Sequence, residues 1–157
     1  MCGIFLCKTN NGNATQVVFE GLKKLEYRGY DSWGIFSLPL TLGGQGLTQK
    51  FLGKVSEASI SFDYSNLALG HTRWATHGIV TEHNSHPHIS NNQKFVIVHN
   101  GIFENYEDYK SKLQKENYKF YSETDTEVLV NLIEKEGIKN IFEKVKGENA
   151  FITLDIE

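Results

Sequence analysis

The residues best placed to do chemistry begin at the second position. Cys2 follows Met1, the one methionine of the chain. Removal of Met1 would make Cys2 the N-terminal residue. Its free α-amine, with a reference pKa of ~7.7–8.0, would then sit beside a thiol with a reference pKa of ~8.5. Enough of that amine is neutral near pH 7 to take the thiol proton, so nucleophile and general base share one residue and no triad is needed. Gly3 lets a substrate approach the backbone closely. The competing reading is that Cys2 only packs, as most free cysteines do. Cys7 lies five positions on. Along one strand that spacing puts the thiols on opposite faces, so no bridge between them is expected.

Three more clusters carry suitable groups. His71-Thr72-Arg73-Trp74-Ala75-Thr76-His77-Gly78 follows an expected strand, where sites often sit. Arg73 offers a planar fork for a carboxylate and Trp74 a flat cover; the plain alternative is a packed surface loop. His99-Asn100-Gly101 ends the strongest strand. Asn-Gly is first a turn signal, but an amide side chain and a glycine N–H can also point at one spot, as an oxyanion hole requires. Ser122 to Glu127 reads as a helix cap, where an acid could also hold an ammonium group. His83, His86 and His88 invite a metal reading, but H-x₂-H-x-H matches no zinc spacing, Pro87 interrupts it, and both thiols lie far away in sequence. No metal is expected. Gly43, Gly44 and Gly46 fit neither GxGxxG nor a Walker loop, and no Gly-Lys-Ser/Thr follows. That stretch, Leu42–Leu47, reads as a hairpin loop.

These residues need elements to position them. Residues 2–7 form an apolar run that predicts a buried strand. Val18, Leu22 and Leu25 recur at helical spacing and predict an amphipathic helix from Ala14 to Tyr27, with Asn13 as N-cap and Gly29 just past its end. Strands are expected at Trp33–Leu38, Leu67–Thr72, Lys94–His99 and Ala150–Ile156. Helices are expected at Asn105–Glu116, after the capping box Thr124–Glu127, and around Ile138–Val145, with Gly137 between the last two. Two groups of strands, with helices between and after, indicate α+β or layered α/β rather than a βαβ repeat.

Composition bounds the rest. The chain has 157 residues, 39% hydrophobic and 22% charged, which fits one globular domain with one core. Sixteen basic against nineteen acidic residues give a net charge of −3, and the pI is about 6.1. A dominant nucleic-acid-binding surface is therefore not expected. Two cysteines cannot staple a disulfide scaffold, and the expected setting is reduced and cytoplasmic. No leader sequence and no apolar run of membrane-spanning length is read, so no membrane partner is expected.

Taken in order, Met1-Cys2-Gly3-Ile4-Phe5, Leu25 through Ser32, His71 through Gly78, His86-Pro87-His88, Val98 through Ile102 and Ser122 through Glu127 closely resemble one family. It is the N-terminal glutaminase domain of glutamine–fructose-6-phosphate aminotransferases, class II glutamine amidotransferases of the N-terminal-nucleophile (Ntn) hydrolase type. The resemblance implies an α/β/β/α four-layer sandwich of the α+β class, incomplete at the C-terminus, because family members continue through more of this domain and then two sugar-isomerase domains. It implies Cys2 as nucleophile and Asn100 with Gly101 as oxyanion hole. Arg73 would bind the α-carboxylate of glutamine and Asp125 its α-ammonium. Trp74, Thr76 and His77 would line or close the pocket, Arg28 and Gly29 would hold the N-terminus, and His86 would lie near the site. No cofactor is implied. Fructose 6-phosphate would bind only through the absent isomerase domains or a partner chain. The sequence leaves the oligomeric state open. The alternative is a catalytically silent glutamine-binding module or an inactive fragment.

Overall fold

The structure is a computed structural model that describes residues 2–40, 45–75 and 78–156. The chain divides into two compact units, residues 1–87 and 88–157. Length predicted one core; the structure has two apolar clusters, one in each unit. The reason is that each sheet brings its own helix and closes a core locally.

In the first unit, β1 (Gly3–Lys8), β2 (Ser32–Pro39), β3 (Leu47–Leu52) and β4 (Ser65–Arg73) form a four-stranded sheet in the order β1-β4-β2-β3. All three pairings are antiparallel. The β2–β3 pairing agrees with the expected hairpin, although residues 42–44 of its loop lie outside the described residues. β1 is an edge strand whose side chains are mostly half-buried or exposed. The expectation of a buried strand holds only at Gly3, because β1 lies at the sheet edge with β4 on one side. The helix α1 (Ala14–Leu25) ends two residues earlier than expected and passes into a 3₁₀ turn at Glu26–Arg28. Asn13 holds the N-cap position without a side-chain cap hydrogen bond. Ala14, Val18, Phe19 and Leu22 from α1 pack with Trp33, Ile35, Val55 and Ala68. Gly70 lets the helix approach β4: a Cβ there would lie 2.5 Å from Val18 Cγ1.

In the second unit, β5 (His88–Ile89), β6 (Phe95–Gly101) and β7 (Asn149–Asp155) form an antiparallel sheet in that order. α2 (Tyr106–Lys115), α3 (Asp125–Glu136) and the four-residue α4 (Ile138–Ile141) accompany it. The core joins Ile97 and Phe103 to Leu113 and to Val128, Leu129, Leu132 and Ile133, the residues whose spacing predicted the apolar face of α3. Thr124 caps α3 by accepting from Glu127 N–H at 3.4 Å. The reciprocal half of a capping box is absent: Glu127 instead turns its carboxylate to Tyr121 N–H, Ser122 N–H and the Ser122 hydroxyl. Gly137, at φ 81°, ends the helix. No helix among the described residues is long and apolar enough to cross a membrane.

Candidate active site

In the first unit, three segments meet around Cys2. Gly3 pairs with Thr72 across β1 and β4, and Gly3 N–H donates to Thr72 Oγ1 at 3.1 Å. A Cβ on Gly3 would lie 2.7 Å from that hydroxyl and 2.9 Å from Leu25 Cβ, so no side chain fits beside the nucleophile candidate. Arg28 Nε donates to the Cys2 carbonyl at 3.1 Å. Trp74 N–H donates to Cys2 Sγ at 3.4 Å. Gly29 is extended, with φ −176°, and its requirement for glycine is steric: a Cβ would lie 2.6 Å from the Arg73 carbonyl carbon. Asp31 completes the clasp by donating its N–H to Arg73 O and accepting Ala75 N–H at 2.8 Å on Oδ2.

The thiol of Cys2 is half-buried, and burial pushes its pKa above the ordinary value. The Trp74 N–H, the positive N-terminus, Arg73 and Arg28 pull the other way. A thiol in this setting rests protonated near neutrality and needs a base to react. Arg73 is buried, and its Nη1 and Nη2 donate to Ile79 O and Gly78 O at 3.3 and 3.5 Å. Trp74 is 44% exposed, with its ring 5.4 Å from that of Tyr30. His86 is buried on the sheet face away from α1: its carbonyl lies above Gly34, where a Cβ would be 2.3 Å away, and its ring lies 4.0 Å from His71. Thr76 and His77 lie outside the described residues.

In the second unit, Asn100 and Gly101 end β6 opposite Ala150 and Asn149. Gly101 has φ +154°, and a Cβ there would lie 2.2 Å from Glu148 O. Only glycine meets both conditions. Asp125 opens α3, and its Oδ2 accepts Phe103 N–H at 2.8 Å. That bond ties the segment after β6 to the start of α3, so Asn100, Gly101 and Asp125 belong to one local framework. Among the described residues no three His, Cys, Asp or Glu side chains gather as a metal site would require.

The sequence profile of the glutamine amidotransferase domain matches residues 53–157. This chain belongs to that family. Among curated relatives, the glutamine–fructose-6-phosphate aminotransferase of Streptococcus pneumoniae is 41% identical over 169 residues, covering 100% of this chain and 27% of the relative. That of Aquifex aeolicus is 42% identical over 167 residues, covering 99% and 28%. The enzyme of Chlamydia abortus is 47% identical over 136 residues, covering 84% and 22%. The chain thus spans about a quarter of the length of these relatives. The α+β fold of this amidotransferase domain matches the glutamine phosphoribosylpyrophosphate amidotransferase of B. subtilis, solved with ADP and GMP. The TM-score is 0.80 at 27% identity, over 99% of this chain and 35% of that one. A second structure, an allosteric regulatory enzyme of purine biosynthesis, matches with a TM-score of 0.81 at 26% identity, over 98% and 35%.

The structure groups Cys2, Arg28, Gly29, Arg73 and Trp74 in one unit and Asn100, Gly101 and Asp125 in the other. Residue-type reasoning missed several groups that hold the amidotransferase framework together. Asp31, inside the Leu25–Ser32 motif, clamps the strand-end loop through Ala75 N–H. Thr72 receives Gly3 N–H. His99 bonds Thr126 through Nδ1 at 3.0 Å and Asn149 through Nε2 at 2.8 Å. His99 and Thr126 lay inside motifs the sequence singles out, His99–Gly101 and Ser122–Glu127, without a role of their own there.

Proposed function

We propose that residues 1–157 form a glutaminase domain of the Ntn type, built as an α/β/β/α sandwich, that hydrolyses glutamine with Cys2 as nucleophile. The carrying observation is the setting of Cys2, whose carbonyl is held by Arg28 and whose sulfur accepts Trp74 N–H. Side chains are excluded beside it at Gly3 and Gly29. After Met1 is removed, the α-amine takes the thiol proton and the thiolate attacks the γ-amide carbon of glutamine. The oxyanion forms against the Asn100 side-chain N–H and the Gly101 N–H. The C–N bond breaks as the α-ammonium returns its proton to the leaving nitrogen, which departs as ammonia. A γ-glutamyl thioester remains. Water attacks it while giving a proton to the amine, the C–S bond breaks, the thiol is reprotonated, and glutamate leaves.

Arg73 binds the α-carboxylate of glutamine and Asp125 the α-ammonium. Trp74, Thr76 and His77 cover the pocket, and His86 supports it. The named relatives are aminotransferases acting on fructose 6-phosphate. On that basis ammonia passes to a sugar phosphate bound by further domains or by a partner chain. The test is glutamate and ammonia release from glutamine by the purified chain and by Arg73→Ala. Hydrolysis is expected from the wild type, with a KM raised by about 10²-fold in the variant, as for a lost charged contact. Equal KM values would remove Arg73 from the site, and no hydrolysis by a chain lacking Met1 would favour the silent module.

A further inference from the structure

His99 is buried at the end of β6, and neither the reaction nor the substrate contacts described above use it. Its two ring nitrogens bond two different elements. Nε2 faces Asn149 Oδ1 at 2.8 Å and Nδ1 faces Thr126 Oγ1 at 3.0 Å. The amide orientation of Asn149 follows from its other contact, since its Nδ2 donates to Gly147 O at 2.9 Å. Its oxygen is therefore the atom turned to the ring. An oxygen acceptor requires the proton on Nε2, which leaves Nδ1 to accept from the Thr126 hydroxyl. Asn149 stands opposite Gly101 in the β6–β7 register. Thr126 follows Asp125, and its hydroxyl lies 3.4 Å from Asp125 Oδ1.

We propose that His99 is a positioning residue: bonded to Asn149 on one side and Thr126 on the other, its neutral ring fixes the Asn100–Gly101 end of β6 relative to Asp125. The proposal rests on the glutaminase reading for what those residues do, but its geometry stands alone. The charged group facing His99 from α3 is the Asp125 carboxylate; from β7 the facing group is the neutral Asn149 amide. Burial pushes the imidazole below its ordinary value of 6.5, against the opposing pulls of Asp125 and the Asn149 hydrogen bond. The ring is thus neutral at pH 7. Protonation at Nδ1 reverses that hydrogen bond: the ring donates to Thr126 Oγ1 and the hydroxyl proton turns to Asp125 Oδ1, so a change in the ring's charge is felt both at the Asp125 carboxylate and at the end of β6.

Two readouts test this on the full chain. The first needs no turnover. In ¹⁵N-labelled protein at pH 7.5, His99 should show the Nε2–H tautomer. The Gly101 amide should shift with the same midpoint as His99 as the pH falls, and His99→Gln should abolish that shift. An Nδ1–H tautomer, or a Gly101 titration unchanged in His99→Gln, overturns the proposal. The second is kcat per Cys2 thiol titrated by an electrophilic glutamine analogue. His99→Leu should lower it by about ten- to a hundredfold, the scale of a small misplacement of reacting groups, and His99→Gln should recover much of the loss. Combining His99→Leu with Asn149→Leu should add little to either alone. Equal values in wild type and His99→Leu, or additive losses, overturn it. A wild type that neither labels nor hydrolyses would break the glutaminase reading instead, and the nitrogen shifts would still decide the role of His99.

Discussion

In residues 1–87 each contact that holds the Cys2 region has a main-chain group on one side, whereas in residues 88–157 His99 bonds side chain to side chain at both ring nitrogens. Around Cys2 the contacts are a guanidinium on a carbonyl, a peptide N–H on a sulfur, and a glycine pressed on the Arg73–Trp74 peptide. Around Asn100–Gly101 they are an imidazole, a hydroxyl, an amide and a carboxylate. A clasp that presses on the main chain at Gly29 is sensitive to added volume. A side-chain network can change state with one proton. Nucleophilic attack needs a fixed backbone at the thiol, while Asn100, Gly101 and Asp125, proposed to meet the oxyanion and the α-ammonium, sit beside an imidazole whose charge can change.

The largest effect expected is on the nucleophile. Cys2→Ala should reduce glutamine hydrolysis to background while leaving the melting temperature near that of the wild type, read by ammonia release and thermal unfolding. Next is Asn100→Ala, where loss of one oxyanion donor should lower kcat by about 10²–10³-fold with a smaller change in KM. Then comes the main-chain clasp. Gly29→Ala drives a Cβ into the Arg73 carbonyl carbon and should destabilise by about 1–3 kcal/mol, as overpacking does. Denaturant unfolding measures it, and the labelling rate of Cys2 should fall as well. Its counterpart in the second unit is Glu127→Gln, which leaves donors at Tyr121 and Ser122 short of an acceptor. That should cost about 1–3 kcal/mol, with hydrogen exchange quickened around residues 121–127 and little changed at 71–75.

The smallest effect is on pH dependence. The folded-state pKa of His99 is lowered, so the native state binds fewer protons than the unfolded state. Its contribution is complete above the ordinary value of 6.5 and is lost as pH falls toward the lowered value. The melting temperature of the wild type should therefore drop more between pH 7.5 and 5.5 than that of His99→Gln. Equal drops would remove the contrast between the two units.

What could be read from residue types follows the same division. Apolar periodicity placed α1 and α3, because Val18 and Leu22, and Val128 through Ile133, repeat as one helical face. The strands that carry Arg73 and Asn100 were legible from their β-favouring apolar runs, each within two residues of its observed ends. β1 was read as buried because an apolar run does not say whether its strand lies at a sheet edge. Glu127 was read as half of a capping box because spacing cannot tell which backbone N–H groups a carboxylate will choose. The grip of Asn149 on His99 joins positions fifty residues apart in sequence, and only strand register brings them together.

The central claim is that Cys2, freed of Met1, is the nucleophile for glutamine. Intact mass and peptide mapping after treatment with a diazoketone analogue of glutamine test it most directly. The account predicts a chain lacking Met1 that carries one adduct, on Cys2. An adduct on Cys7, no adduct, or Met1 still in place would contradict it.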